Sequence, residues 1–151
     1  MTGEPQADEA RRCRRFGWSS LAIWALFGLA LEAAHGFKLA VFLDDQLRHS
    51  LLRLAHAHGV ILALVVVAFG GGAAGLYADA PPAEARRTGA LIRAGALVVP
   101  LGFALSAIAP HEGDPGFPVL LVPAGALLLI AGLGRAARRS WRPRPKARPK
   151  D

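Results

Sequence analysis

Apolar residues fall into four long blocks along the chain, and polar segments separate them. The blocks lie at residues 16–35, 57–77, 89–109 and 117–134. Each is close to the roughly 20 residues that a helix needs to cross the hydrocarbon core of a bilayer. The pattern therefore predicts an all-α, polytopic membrane protein built as a bundle of four transmembrane helices.

The first block has the flanks of a membrane span. Arginines precede it, and Trp18 lies near its start, where an aromatic ring suits the lipid headgroup region. A secretory signal peptide is the alternative, with Ala33 and Ala34 as small residues before a cleavage site. The block is longer than the roughly 7–15 apolar residues of a signal core, so a span is favoured. Residues 1–15 are then a basic cytoplasmic tail, with residues 1–10 expected to be disordered.

The second helix is predicted to begin well before its apolar block. Asp45 suits a helix start, because its carboxylate can accept hydrogen bonds from the free amides of the first turn. Leucines follow it at helical spacing, so the helix should run on through the 57–77 block and be too long for the bilayer core alone. Within the block, Gly71 and Gly75 form a small-xxx-small pair, which predicts close helix packing.

The third and fourth blocks contain residues that modify a plain membrane helix. Arg93 lies about one turn inside the third block and is expected to extend back to the headgroups. Pro100 is expected to kink this helix, because proline removes a backbone donor and clashes with the preceding turn. Residues 110–116 form a short loop of turn formers, and residues 135–151 are predicted to be a disordered basic tail.

The charge distribution predicts which way the chain crosses the membrane. The formal net charge is +7, and the basic residues concentrate in the two tails and in the 79–93 loop region. Positive loops remain inside, so both termini are expected in the cytoplasm of a bacterium, with the protein in the inner membrane. The first basic residues of the C-terminal tail are expected to contact anionic lipids of the inner leaflet: Arg135, Arg138, Arg139 and Arg142. No nucleic-acid-reading module accompanies them, and nucleic acid is not the expected partner.

This topology places every histidine on the predicted outer side. They are His35, His49, His56, His58 and His111. Glu32 lies inside the first apolar block, where a carboxylate is costly unless it is protonated, paired or facing a wet interior. It precedes His35 by three residues, so the two share a helix face, and Lys38 is the simplest charge partner if the helix continues.

His56 and His58 are about 200° apart on a helix, so they cannot both face one site without a local break. His56 shares a stripe with small residues such as Ala63 and Gly70, which predicts that it points into the bundle. His58 shares a stripe with leucines, although a bend at Gly59 would change its direction.

Several functions fit this constellation. Imidazole and carboxylate are ligands for zinc, copper or iron, and the candidate metal-binding set is Glu32, His35, His56, His58 and His111. A histidine pair could instead ligate haem, or the same groups could form a polar, proton-linked network. The remaining alternative is that the histidines are interfacial residues without a ligand, hydrogen-bonded to Glu32, to backbone or to water. The other class of function is a structural or accessory subunit of a homo-oligomer or larger membrane complex. No motif for an enzyme is present, since the only cysteine, Cys13, lies on the side opposite the histidines.

Four short segments carry a resemblance: residues 31–38 (LEAAHGFK), residues 54–59 (LAHAHG), residues 113–116 (GDPG) and residues 121–123 (LVP). In them the chain resembles a group of small bacterial four-span inner-membrane proteins of unassigned activity. The resemblance implies the four-helix architecture and points to the same Glu, His and Lys positions. It implies no activity.

Overall fold

The chain forms four long helices joined by short connections. The structure, a computed structural model, describes residues 4–40, 45–108, 110 and 113–142. The helices are α1 (Glu4–Gly36), α2 (Gln46–Leu76), α3 (Pro82–Ser106) and α4 (Leu121–Ser140), and a 3-10 turn at Phe117–Leu120 leads into α4. All four are long and apolar enough to cross a membrane. The all-α class and the number of long helices are therefore confirmed for the part of the chain that is described.

The beginning of α2 follows the sequence prediction. Asp45 is the N-cap, and its Oδ1 accepts a hydrogen bond from the backbone N–H of Arg48 at 2.9 Å. The helix then continues without a break to Leu76. It joins the polar start and the apolar block into one element, as the leucine spacing predicted.

The end of α1 differs from what a charge partnership between Glu32 and Lys38 requires, because that pairing needs the helix to continue past His35. The helix ends at Gly36, and Lys38 takes a left-handed conformation with φ of 52°. Its backbone N–H donates to the carbonyl of His35 at 3.0 Å, which closes the last turn. The side chain of Lys38 is exposed and forms no ion pair with Glu32.

The helices pack in the order in which they occur, with α1 on α2, α2 on α3 and α3 on α4. α1 also touches α3, whereas no described residue of α1 contacts α4. The buried core lies along α3 and includes Val66, Ile92, Val99 and Leu129. α3 runs as one helix through Pro100, which is itself buried.

Glycine allows α1 and α2 to approach closely, but at Gly70 and not at the two glycines predicted. A Cβ on Gly70 would lie 2.9 Å from the backbone nitrogen of Arg14 and 3.0 Å from the carbonyl oxygen of Ala10. Gly71 and Gly75 are exposed, and a Cβ on either would meet no atom of the described residues within 4 Å. Any helix that packs on these two glycines must therefore come from outside the described part of the chain.

The alternating directions of the helices give the bundle two chemically different ends. The basic end contains the first turns of α1, the Tyr77–Pro81 turn and the last turns of α4. The histidine end contains the last turns of α1, the first turns of α2 and the last turn of α3, where Arg48 Nε donates to the carbonyl of Ala107 at 3.2 Å.

Both predicted tails are largely helical where they are described. α1 starts at Glu4, so most of residues 1–10, expected to be disordered, belong to the helix. Gln6, Glu9 and Ala10 are buried there. α4 likewise continues through Ser140, six residues into the predicted C-terminal tail, and residues 143–151 lie outside the described part. The physical reason at the N-terminus is that the polar residues of α1 find partners on α3 and in the turn before it.

Candidate functional site

The predicted histidine constellation is partly assembled in one pocket at the histidine end. The pocket has a volume of about 230 Å³ and lies between the end of α1 and the start of α2. Its lining residues are Leu31, Glu32, His35, His49, Arg53 and His56. Three imidazoles, one carboxylate and one guanidinium therefore surround the same small space, which we call the imidazole pocket.

His56 is held in place by α1. Its Nδ1 donates to the backbone carbonyl of Trp24 at 2.9 Å, so the neutral ring carries its lone pair on Nε2. The ring lies on Gly28, where an added Cβ would overlap Cε1 of His56. One turn further along α2, Gly59 accommodates the indole of Trp24 in the same way. An aromatic ring of each helix thus packs on a glycine of the other, and these two contacts between α1 and α2 fix one wall of the pocket.

His35 and His49 face each other across the two helices. Their ring centroids are 6.1 Å apart and the ring planes differ by 19°, so the imidazoles are nearly parallel. His35 and Glu32 are exposed, whereas His49 is half-buried. His49 and Arg53 were not in the predicted site. The sequence does carry a signal for them, since His49 lies seven residues before His56 and Arg53 lies three residues before it. Residues at these separations share one face of a helix.

His58 is turned away from this pocket. Its Nδ1 donates to the carbonyl of Leu54 in its own helix at 2.9 Å, and its ring packs against Phe103 of α3 with centroids 5.0 Å apart. His56 and His58 therefore contact different helices, as the angle of about 200° between them requires.

The structure does not bring the predicted metal ligands together as a set. Among the described residues, no group of three or more His, Cys, Asp or Glu side chains is arranged to hold a metal ion. His111, the remaining member of the predicted set, lies outside the described residues. The pocket is also smaller than the roughly 300–1,000 Å³ of typical small-molecule sites, which favours a proton or a single ion over a haem.

Like charges in the imidazole pocket would lie close together. One carboxylate, Glu32, and one guanidinium, Arg53, line it together with the three imidazoles. Any imidazolium formed there would add positive charge next to Arg53. Two imidazolium charges separated by the 6.1 Å between the rings of His35 and His49 repel by about 0.7 kcal/mol in water and about 2.7 kcal/mol at an effective dielectric constant of 20. Because His35 is exposed, the lower figure is the closer one.

A second polar cluster lies at the basic end and was missed in the sequence. Glu9 of α1 forms an ion pair with Arg93 of α3, and Arg93 also donates to Sγ of Cys13 at 2.9 Å. Glu9 is only 2% exposed. Arg93 is thus held by Glu9, a partner that the sequence analysis did not assign to it.

A sequence signal for this cluster was available along α1. The buried residues of α1 recur every three or four positions: Gln6, Glu9, Ala10, Cys13, Gly17, Ser20, Trp24 and Gly28. That spacing is one face of a helix, and it continues from the apolar block back into the supposed tail. Its first members are polar, so the pattern of apolar residues alone does not reveal this face.

No protein-family model, curated protein or solved structure matches this chain. The resemblance to small bacterial four-span proteins stays a prediction. Function is therefore inferred from the contacts of the described residues.

Proposed function

We propose that this chain is an integral protein of a bacterial inner membrane, with both termini in the cytoplasm, whose imidazole pocket responds to protonation from the outer side. The observation that carries the proposal is that His35, His49 and His56 line one pocket together with Arg53 and Glu32. The basic end would then lie at the cytoplasmic surface, in accordance with the positive-inside rule.

The pocket residues suggest how a proton signal would act on the helices. His35 belongs to α1 and His49 to α2, so repulsion between their charged rings pushes the ends of two different helices apart. His56 keeps its hydrogen bond to Trp24 in both charge states, because Nδ1 carries a hydrogen in the neutral tautomer and in imidazolium. The contact between His56 and Trp24 therefore remains as the point about which the outer turns of α1 and α2 separate.

The size of the effect is set by the repulsion energy. Because His35 is exposed, the lower energy of about 0.7 kcal/mol applies, and it changes an equilibrium by about 3-fold. This is enough to shift a population between two arrangements of the helix ends and far too small to unfold the bundle. The proposal is thus a reversible opening of the histidine end in acid.

A divalent transition metal is the second candidate occupant, and one observation favours it. The carbonyl of Trp24 holds Nδ1 of His56, which leaves Nε2 as the ligating atom; such an outer hydrogen bond is typical of metal-bound histidines. His35 and His49 line the same pocket, but no three such groups among the described residues are arranged to hold a metal ion, so a metal would have to draw these imidazoles together. A metal would compete with protons for these nitrogens, so it would act against the acid-driven opening.

The experiment that tests the proposal is nuclear magnetic resonance of ¹⁵N-histidine in lipid nanodiscs between pH 8 and pH 5. We expect His35→Gln to change the pH response of the signals from His49 and His56, because all three line one pocket. His58→Gln is the matched control, since His58 contacts Phe103 instead. Independent titration of His35, His49 and His56 would contradict the proposal.

A further inference from the structure

An arginine-lined cavity of about 300 Å³ lies at the basic end, opposite the imidazole pocket. Its lining residues are Glu84, Arg135, Arg138, Arg139 and Arg142. Four guanidinium groups face a single carboxylate, so the cavity carries an excess of positive charge that the lining residues do not neutralise.

Two of the arginines are fixed in place by other helices. Arg135 Nε donates to Oγ1 of Thr88 in α3 at 3.3 Å. Arg139 Nε donates to the carbonyl of Leu76 at the end of α2 at 3.2 Å, and the same guanidinium pairs with Asp79. The cavity is thus lined by residues of α3 and of α4 with its C-terminal end, and it is anchored to the end of α2, which distinguishes it from a loose basic tail.

The other two arginines complete the cavity from the exposed side. Arg138 and Arg142 lie one turn apart on α4 and its C-terminal end, and both are exposed. Neither side chain forms an ion pair with a described residue. Guanidinium groups that are held close together without enough carboxylates are suited to bind a phosphate, because each can donate two parallel hydrogen bonds to its oxygens.

The surface next to the cavity indicates where the phosphate comes from. Arg138 ends a stripe on α4 that contains Leu127, Ala131 and Gly134, all of them exposed. These positions fall on nearly one line at 100° per residue. An apolar stripe that leads from the membrane-spanning part of α4 to a basic cavity matches the shape of a phospholipid, with its acyl chain along the helix and its headgroup at the arginines.

We propose that this cavity is a specific binding site for one anionic phospholipid, whose phosphate is held by Arg138 and Arg142 together with the fixed Arg135 and Arg139. The site differs from the general attraction of a basic tail to an anionic membrane in requiring particular arginines. Its position at the ends of α2, α3 and α4 means that a bound lipid joins three helices.

The test compares two charge-matched double variants in nanodiscs of phosphatidylcholine that contain a minor fraction of phosphatidylglycerol. Arg138→Gln/Arg142→Gln removes two cavity arginines that make no ion pair in the described part of the fold. Arg15→Gln/Arg87→Gln removes two exposed arginines near the same end that do not line the cavity. Retained phosphatidylglycerol is counted by native mass spectrometry after release of the protein from the nanodiscs.

We expect the cavity variant to lower the apparent affinity for phosphatidylglycerol at least about 10-fold, because two charge-assisted contacts are lost. The control variant should retain the lipid as the unchanged protein does. Equal losses in the two variants would overturn the proposal, since they would show diffuse attraction only. Arg138→Lys/Arg142→Lys keeps the positive charge but loses the paired hydrogen-bond donors of arginine. We expect its affinity for phosphatidylglycerol to lie between those of the unchanged protein and the glutamine variant. It replaces the glutamine variant in the test if that variant does not fold.

A second arm separates a lipid from a free anion. Inorganic phosphate is added to the protein in pure phosphatidylcholine nanodiscs, and the arginine side-chain signals are followed by nuclear magnetic resonance. We expect no saturable change in these signals at millimolar phosphate, because a free ion has no acyl chain that could gain binding energy from the apolar stripe on α4. Saturable binding of inorganic phosphate that equals the lipid in affinity would overturn the assignment to a phospholipid.

Discussion

Glu9 and Arg93 form an ion pair that joins the first turns of α1 to α3 across 84 positions of the chain. The carboxylate side is almost completely buried, with 3% of the Glu9 side chain exposed, whereas 19% of the Arg93 side chain is exposed. Oε2 of Glu9 is buried and has no hydrogen-bond partner among the described residues. The pair therefore depends on both members, since either one alone would be a buried charge without compensation.

Removing one member of this pair should destabilise the bundle strongly. We expect Glu9→Gln to lower the free energy of unfolding by about 3 kcal/mol, because Arg93 loses its counter-charge inside the protein. Unfolding in detergent micelles, followed by circular dichroism, measures the change. Asp8→Asn is the matched control: Asp8 pairs with Arg11 on the exposed side of α1, where a pair contributes less than about 1 kcal/mol.

A double replacement separates the charge from the packing. Glu9→Leu/Arg93→Leu removes both charges at once, and it should be less destabilising than Glu9→Gln, because no buried charge is left without a partner. The two single variants, Glu9→Leu and Arg93→Leu, are measured alongside. If the double variant loses as much free energy of unfolding as the two single variants together, the two residues act independently and the account of the ion pair is contradicted.

Neighbouring glycines on α2 give a second prediction. Gly70→Ala should destabilise by about 1–3 kcal/mol, because the new Cβ would meet the backbone of α1 at Ala10 and Arg14. Gly71→Ala should leave stability unchanged or raise it by up to about 1 kcal/mol, because its Cβ points into open space and alanine favours the helix. Thermal unfolding of both variants in the same detergent checks the difference. Equal destabilisation would indicate that another helix covers Gly71.

The fold follows from features that are visible in a single sequence. The four apolar blocks correspond to the four helices, each of which is long and apolar enough to cross a membrane. The start of α2 follows from Asp45, since an N-cap needs only local chemistry. The separation of His56 and His58 follows from helix geometry alone.

The parts that the sequence reading missed depend on contacts between distant residues. Glu9 looks like a tail residue until Arg93 is known to lie opposite it. The same holds for the choice between Gly70 and Gly71, which differ only in the face of α2 that each occupies. His49 and Arg53 line the imidazole pocket because α1 packs on the start of α2. This packing is a tertiary contact, which the sequence of either helix alone does not reveal.

Zinc provides a third prediction, for the second candidate function. If the imidazole pocket holds a divalent transition metal, purified protein incubated with zinc should retain about one ion per chain after gel filtration. His56→Gln should abolish retention, because Nε2 of His56 would be lost as a ligand, and His58→Gln should not. Elemental analysis measures the ratio. Retention that is equally lost in both variants, or absent in the unchanged protein, would rule out this pocket as the metal site.

The proposed orientation gives a fourth prediction. A single cysteine at the exposed position Asp114 should react with a membrane-impermeant maleimide added to intact cells, because the connection between α3 and α4 is expected on the outer side. Cys13 is buried and should not interfere. A cysteine at Ala83, exposed at the opposite end, should react only after the cells are opened. The reverse pattern would show that the protein is inserted the other way round.

The acid response of the imidazole pocket is tested most directly by the distance between the ends of α1 and α2. Spin labels on cysteines at the exposed positions Ala33 and Ser50 report this distance by double electron–electron resonance in nanodiscs. We predict that the mean distance or the width of its distribution increases when the pH falls from 8 to 5, and that His35→Gln suppresses the change while His58→Gln does not. A distance distribution that is the same at both pH values, or a change that persists in His35→Gln, would contradict the proposal that these imidazoles control the histidine end.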